Sequence, residues 1–434
     1  VELPVGAALV QLKTVTDRDF ATAWTLNIIR GLIVTVLMLV AAWPVAAVFG
    51  DPRLIALISA MASYPFLLGF RNSRFEMYIR NMDFKWEAMV EIGTKVASFA
   101  VMFWVALATG SYWALPLGLI ASGVIALAMS FALCPQVPGL SLSEFRKFFG
   151  FSVWLGLAQI ADSLREATTS LFIGKLLGNA ALGTYAVGIQ FADRMELFLY
   201  APMERTMFAA FSSIQDDLHR VRAAYLSSLH ASFAISLPIC VGIGLLAKEI
   251  VAITLGPEWA FAALVLAFAA PITAIYLLGA ISVSIATALG RTRSVFFLKA
   301  VSACLYIPVM VFGALQFGMI GVLWAGAFGA AIWCGLSFRL MAKVIHVSMV
   351  RQVSVVGRSL AAALVMSGAV TWARVSLFDA PVHDFAGLLI QAGILSSLGA
   401  VVYLAAHAGL WIAANRPQGI EHQVSARFSA LSPA

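Results

Sequence analysis

The most prominent feature of the sequence is a series of long apolar stretches, separated by short connections that hold most of the charged residues. Many of these stretches approach the roughly 20 residues that an α-helix needs to cross about 30 Å of hydrocarbon. The pattern therefore predicts an all-α integral membrane protein with about twelve transmembrane helices. The predicted spans are 24–49, 54–70, 87–108, 112–133, 149–173, 179–203, 224–247, 260–289, 294–316, 319–338, 354–373 and 385–414.

The chain also resembles itself at an offset of 206 residues. Gly50 in F-G-D-P-R aligns with Gly256 in L-G-P-E-W, and at the same offset Pro65 aligns with Pro271. A basic residue follows at the same distance in each copy. The coincidence of a loop, a proline and a basic connection predicts two parallel copies of six spans, related by an axis along the membrane normal.

The repeat gives the predicted organisation of the chain. The first six-helix lobe takes 1–148, the second takes 149–345, two additional helices follow in 346–414, and a tail covers 415–434. The partners of the first two spans of the second lobe would precede Val1. We therefore expect two helices upstream of the given sequence and fourteen in the complete protein.

Composition and charge agree with a bilayer environment. Hydrophobic residues make up 62% of the chain and charged residues 11%, against about a quarter charged in soluble domains. The net charge of +7 does not indicate nucleic-acid binding, because one alternate set of connections, including Lys299 and Arg358, receives most lysines and arginines. The positive-inside rule then predicts that this set and the C-terminal tail are cytoplasmic.

No sequence motif indicates an enzyme or a metal site. The chain has no P-loop and no H-E-x-x-H zinc motif, and its four cysteines lack C-x-x-C spacing. The six histidines are scattered and fall mainly in loops or near the ends of spans. We therefore predict a protein that is not an enzyme and that carries no resident cofactor.

The candidate site lies in the span 149–173, which is unusually polar. A charged side chain at the bilayer centre costs about 2.5–3.5 kcal/mol on insertion scales, so it persists where it is paired, hydrated or used. One helical face carries six polar residues, and Arg165 lies at its edge. The six are Gln159, Asp162, Ser163, Glu166, Thr169 and Ser170.

Charged residues also occur in the next span and in the third one. The span 179–203 carries Asp193, Arg194 and Glu196, and Lys95 follows Glu91 by four residues, the spacing of a helical ion pair. Two interpretations stay open. Either these groups pair to hold helices together, or they line a hydrated cavity.

The cavity interpretation assigns roles to individual residues. The predicted substrate-binding residues are Arg165, Arg194, Lys95, Gln159, Asp162, Ser163, Glu166 and Thr169. The predicted ion-coupling residues are Asp162, Glu166, Asp193 and Glu196. The sequence leaves the coupling itself open between a proton gradient, a sodium gradient and none.

Nearly end to end, the chain resembles the polysaccharide flippase branch of the multidrug/oligosaccharidyl-lipid/polysaccharide exporter superfamily. The resemblance rests on the order and spacing of several short motifs. They are G-A-A-L-V-Q-L-K and D-F-A-T-A-W-T-L-N within 6–27, F-G-D-P-R-L at 49–54, R-N-M-D-F-K at 80–85, S-Y-W-A-L at 111–115, I-G-K-L-L-G-N-A-A-L-G-T-Y at 173–185 and L-G-P-E-W at 255–259. At Thr169 the chain departs from relatives, which commonly have an acidic residue there.

The resemblance implies a fourteen-helix fold with two lobes around a central cavity. It also implies alternating-access export of undecaprenyl-diphosphate-linked oligosaccharide across the bacterial inner membrane, for O-antigen, capsule or exopolysaccharide synthesis. The implied partners are this lipid-linked substrate, membrane lipid and the polysaccharide polymerase machinery, with no nucleic acid.

Two other functions stay open. A multidrug or organic-cation antiporter of the same fold would need an acidic, aromatic pocket, whereas arginines accompany the carboxylates here. A membrane glycosyl transferase or ligase would need catalytic groups in an extramembrane loop, for which the chain offers Asp379, His383 and Asp384.

Overall fold

The computed structural model describes residues 9, 15–80, 83–214, 217–378 and 385–413. Within these residues every regular element is helical. The α-helices are α1 (Asp17–Phe49), α2 (Arg53–Met61), α3 (Ser63–Gly69), α4 (Glu76–Arg80), α5 (Phe84–Thr109), α6 (Ala114–Leu133), α7 (Phe145–Leu177), α8 (Asn179–Ser213), α9 (Leu218–Leu245), α10 (Ala247–Thr254), α11 (Ala260–Ala288), α12 (Thr292–Val344), α13 (Met349–Leu377) and α14 (Phe385–Ala413). Short 3-10 turns cover Ser73–Phe75 and Pro257–Trp259.

The predicted spans all coincide with described helices, which confirms the all-α class. Eight of the described helices are long and apolar enough to cross a membrane. The span 54–70 is divided between α2 and α3, and α12 contains both 294–316 and 319–338, interrupted at Gly318, where φ is 60° and ψ is −140°. The number of membrane crossings stays a prediction.

The chain divides into two compact units, Val1–Ile160 (unit 1) and Ala161–Ala434 (unit 2). The division falls within α7, whereas the sequence predicts a lobe boundary at 148. In unit 1, α1 packs against α2 and α3, and α5 packs against α6.

Helix α1 shows how the local sequence sets the ends of an element in unit 1. The Asp19 carboxylate accepts hydrogen bonds from the Thr16 backbone N–H at 2.9 Å and from the Thr16 hydroxyl at 2.7 Å. This cap satisfies a backbone donor at the start of the helix, where no intrahelical acceptor is available. The helix ends at Gly50, which adopts a left-handed φ of 71°.

In unit 2, α11 is the central helix and packs against α8, α9 and α12. Its sequence is almost wholly apolar, and most of its faces are buried within the unit. Helices α13 and α14 pack against each other, and α13 also packs against α9. A helix that is apolar all round belongs in the interior of a bundle.

The backbone shows parallels between the two sequences that align at the 206-residue offset. Gly50 and Gly256 both follow a helix and have positive φ, at 71° and 101°. Gly110 and Gly318, which are 208 residues apart and so two positions out of this alignment, also have positive φ, at 59° and 60°, and each precedes a further helical segment. The repeat itself stays a prediction, and these shared helix ends agree with it.

Candidate functional site

The predicted polar stretch of α7 contributes an ion pair with α12. The Lys299 ammonium lies 2.5 Å from Asp162 Oδ2. The Lys299 side chain is 15% exposed and that of Asp162 is 38% exposed. The cation is therefore the enclosed partner and the carboxylate the more accessible one.

Arg165, one turn further along α7, is enclosed by aromatic rings. Its guanidinium carbon lies 6.0 Å from the ring centroid of Tyr276 and 5.7 Å from that of Tyr306. The nearest carboxylate oxygen of Glu166 is 3.8 Å from Arg165 Nη2, and the Glu166 side chain is 71% exposed. Because both aromatic faces attract cations, the arginine is stabilised without a close ion pair.

The packing of α7 against α12 explains why Arg165 meets the Tyr306 ring. Ile173 of α7 is fully buried and packs in one cluster with Tyr306 and Met310. Across the cluster, Gly329 lies so close to Tyr306 that an added Cβ would meet the ring at 2.7 Å. Gly329 thus leaves room for the tyrosine ring, as small residues do at membrane-helix contacts.

The rest of the predicted polar stripe separates into buried and exposed residues. Thr169 is buried, and its hydroxyl donates to the Arg165 carbonyl oxygen at 2.8 Å. Ser163 and Ser170 are exposed. Gln159 belongs to unit 1, where its buried Oε1 has no hydrogen-bond partner among the described residues.

The acidic and basic residues of α8 lie near the Arg165 end of this group. Asp193 and Arg194 are both exposed. Asp193 lies within electrostatic range of Glu166, Arg165 and Arg194. The side chain of Glu196 lies outside the described part of the structure, so its predicted coupling role stays a prediction.

Lys95 pairs within its own helix in unit 1. Its ammonium lies 2.6 Å from Glu91 Oε1, and the lysine and glutamate side chains are 71% and 60% exposed. The predicted ion pair is therefore present, as the four-residue spacing indicates. The role of Lys95 in substrate binding stays a prediction.

Two basic residues that the sequence assigns to connections lie inside helices instead. Lys299 is seven residues into α12, about 10 Å along the axis by helical rise, and it pairs with Asp162. Arg358 lies within α13. Both residues also fall near the starts of the predicted spans 294–316 and 354–373, and their count toward the cytoplasmic side stays a prediction.

A second buried ion pair joins α10 to α13 in unit 2. Arg374 Nη2 donates to both Glu249 carboxylate oxygens at 2.9 Å and to the Leu245 carbonyl oxygen at 2.7 Å. The Glu249 side chain is only 6% exposed. No sequence pattern indicates this pair, because its partners lie far apart in the chain and each is near the end of a predicted span.

The histidines are also less scattered than the sequence indicates. His230 of α9 and His407 of α14 are buried, with ring centroids 5.9 Å apart, and the His230 Nε2 lies 3.0 Å from Arg358 Nη2. No group of three or more metal-binding side chains is found in the described ranges. The residues Asp379, His383 and Asp384, and the tail from 415, lie outside the described residues.

A small cavity lies between α8, α9 and α11. Its volume is about 30 Å³, and its lining includes Tyr200, Ser232 and Ser236. The two serine hydroxyls are buried and find no partner within the described part of the chain. The space suits water, which needs at least about 10–15 Å³, and it is far too small for a sugar.

Comparison with known proteins gives a consistent family assignment. The model of the family described as "Polysaccharide biosynthesis protein" matches residues 1–264. The lipopolysaccharide biosynthesis protein WzxC of Escherichia coli (strain K12) is 23% identical over 357 residues, which cover 80% of this chain and 72% of WzxC. The succinoglycan biosynthesis transport protein ExoT of Rhizobium meliloti (strain 1021) is 22% identical over 402 residues, 92% of this chain and 80% of ExoT.

Among solved structures, the chain is similar to the lipid II flippase MurJ in an inward closed conformation. The TM-score is 0.68 at 15% sequence identity, with 95% of this chain and 88% of the MurJ chain covered. At this low sequence identity, the similarity to MurJ is evidence for a shared fold only. Together with the apolar helices, it identifies the chain as a multi-pass membrane protein.

Proposed function

The chain belongs to the polysaccharide biosynthesis protein family, and from this premise we propose that it is a flippase for a lipid-linked oligosaccharide. The proposed substrate carries its sugars on undecaprenyl diphosphate and moves from the inner to the outer leaflet of the bacterial inner membrane. The names of WzxC and ExoT, in lipopolysaccharide biosynthesis and succinoglycan transport, support this class of cargo.

The observation that carries the proposal is the pair of cations that α7 and α12 hold within membrane-length helices. A diphosphate is doubly unfavourable in hydrocarbon because it is both charged and strongly hydrated. Arg165 offers a fork of donors that suits phosphate oxygens, and Lys299 offers a compact ammonium. The neighbouring hydroxyls of Ser163 and Ser170, both exposed, can replace water around a sugar.

The same site weighs against a drug-cation antiporter. An organic cation would bind the faces of Tyr276 and Tyr306, as quaternary ammonium ligands do. Here the guanidinium of Arg165 already lies over both rings. A cationic drug would have to displace a cation that the chain itself supplies, whereas an anionic headgroup would gain from it.

The remaining features of the proposal concern topology, coupling and partners. We place the C-terminal tail in the cytoplasm because the lysine-rich and arginine-rich connections lie on that side. Alternating access, coupled to a proton or sodium gradient through Asp162, Glu166 or Asp193, would move the cargo without covalent chemistry. The polysaccharide polymerase machinery would receive it.

Reconstitution tests the proposal. Proteoliposomes would carry the full-length protein and a fluorescent lipid-linked oligosaccharide, and a membrane-impermeant reductant would quench the fluorophores of the outer leaflet. We expect the protected fraction to fall when the protein is present, because flipping exchanges the leaflets. An unchanged protected fraction, with the protein folded and an ion gradient applied, would refute the flippase.

A further inference from the structure

We propose that Asp162 is a resident anion that competes with the substrate headgroup for the Lys299 ammonium. Asp162 would thereby set how tightly the site holds a diphosphate. This inference rests on the proposed function, since it assigns a role within the same site. It makes Lys299 a specificity-determining residue and gives Asp162 a role distinct from that of a substrate ligand.

The geometry of the pair supports exchange rather than a fixed tie. Lys299 is the enclosed partner, at 15% exposure, and Asp162 the accessible one, at 38%, with their charged atoms 2.5 Å apart. An enclosed ammonium without a counter-charge is strongly unfavourable. An anion must therefore accompany Lys299 in every state, and only the identity of that anion can change.

Arg165 differs from Lys299 in this respect. Its nearest carboxylate oxygen, on Glu166, is 3.8 Å away, and the Glu166 side chain is 71% exposed. An exposed pair at that distance contributes little. Tyr276 and Tyr306 stabilise the guanidinium instead. Arg165 can therefore bind an anion without losing a close ionic partner.

Position along α7 connects the two cations. Asp162 and Arg165 are three residues apart and therefore lie on neighbouring positions of one helix face, and the two groups interact electrostatically. A headgroup that contacts Arg165 consequently approaches the negative charge of Asp162. Its second phosphate can form an ion pair with Lys299 only if the ion pair between Lys299 and Asp162 breaks. Such competition limits affinity, as a carrier requires if it is to release its cargo.

A binding measurement on the full-length protein in nanodiscs tests this inference. The probe is farnesyl diphosphate, with farnesol as the neutral control for the lipid tail. We expect Asp162→Asn to bind farnesyl diphosphate about tenfold more tightly than the unmodified protein, with binding of farnesol unchanged. Asp162→Glu keeps the competing charge, so any gain in affinity should be well below that of Asp162→Asn.

Two further variants separate the loss of a competing carboxylate from the effect of a change in net charge. Asp17→Asn removes the carboxylate that pairs with Arg74 at 2.7 Å, so it makes the same change in net charge away from the site. It should leave affinity unchanged. Lys299→Met should weaken binding, and adding Asp162→Asn to it should give no gain, because the competed cation is already absent.

Three results would overturn the inference. They are an unchanged or weaker affinity in folded Asp162→Asn, a gain that persists in the Lys299→Met background, and an equal gain in Asp17→Asn. Asp162→Ser provides a second neutral variant if the asparagine variant does not fold. The assay requires no transport, so absence of flipping in proteoliposomes would overturn the proposed function alone.

Discussion

Arg165 illustrates what one cation needs when it lies within a predicted membrane span. Its guanidinium lies about 6 Å from two tyrosine rings and 3.8 Å from an exposed glutamate. The Thr169 hydroxyl donates a hydrogen bond to the Arg165 backbone carbonyl oxygen. These contacts hold the charge in place and leave its donors available. Under the proposed function, Arg165 makes the first contact with the substrate headgroup.

Replacing Arg165 tests this role. Hydrogen bonds to charged groups contribute about 1.5–3 kcal/mol, so Arg165→Gln should reduce the rate of flipping by at least about tenfold. Arg165→Lys should recover part of the loss, since it keeps the charge without the planar fork. Arg220→Gln removes an exposed arginine of α9 and is the matched control in the same proteoliposome assay.

Equal rates for Arg165→Gln and Arg220→Gln would contradict the assignment. So would a loss that follows only from misfolding, which the elution profile in detergent reveals.

The residues of the site differ in how far the sequence could identify them. Asp162 and Arg165 stand out because a charge within an apolar run is costly and therefore informative. Lys299 does not stand out, because a lysine seven residues into a helix resembles a loop residue. Tyr276 and Tyr306 are ordinary members of apolar spans, and only the fold brings them to Arg165.

At the scale of elements, the ion pair between Glu249 and Arg374 ties α10 to α13. Both carboxylate oxygens bind one guanidinium nitrogen at 2.9 Å, and that nitrogen also binds the Leu245 carbonyl oxygen. The pair therefore supplies a hydrogen-bond donor to the Leu245 carbonyl oxygen at the junction between α9 and α10. Removing one partner would leave a buried charge.

We expect Glu249→Gln to lower the free energy of unfolding by about 3–5 kcal/mol, because breaking a buried pair exposes the cost of the remaining charge. Unfolding by SDS in mixed micelles provides the measurement. Glu91→Gln is the control, since its exposed pair with Lys95 should contribute about 0–1 kcal/mol. The double variant Glu249→Leu with Arg374→Leu should recover most of the loss.

A loss no larger for Glu249→Gln than for Glu91→Gln would show that the pair does not stabilise this junction.

The helices were the most predictable level of the structure. Length and apolarity locate most membrane helices, because an α-helix satisfies its backbone hydrogen bonds within one apolar segment. Helix ends were less predictable, since capping groups such as Thr16 with Asp19 extend a helix beyond its apolar part. The approach of His230 to His407 depends on how α9 packs near α14, which no local pattern records.

At the scale of the whole molecule, the account combines the family, the fold and an orientation in the membrane. The orientation follows from the unequal distribution of lysines and arginines. The proposed orientation puts the connection before α7 in the cytoplasm and the connection between α7 and α8 outside.

Single cysteines test this orientation. In a background without Cys134, Cys240, Cys304 and Cys334, Asn179→Cys should react with an impermeant maleimide added to spheroplasts. Ser143→Cys should react only after permeabilisation. Both positions are exposed, so each reagent can reach its target when it is on the correct side. The reverse pattern would invert the proposed topology.

The central claim is that this protein carries an intact lipid-linked oligosaccharide across the membrane and uses Arg165 and Lys299 to do so. The most direct test is leaflet-selective labelling and mass spectrometry of the undecaprenyl-diphosphate oligosaccharide in a host that lacks the gene and every substitute exporter. We predict precursor build-up facing the cytoplasm, reversed by the unmodified protein and not by the Arg165→Gln, Lys299→Met double variant. Precursor that reaches the outer leaflet equally in all three strains would contradict it.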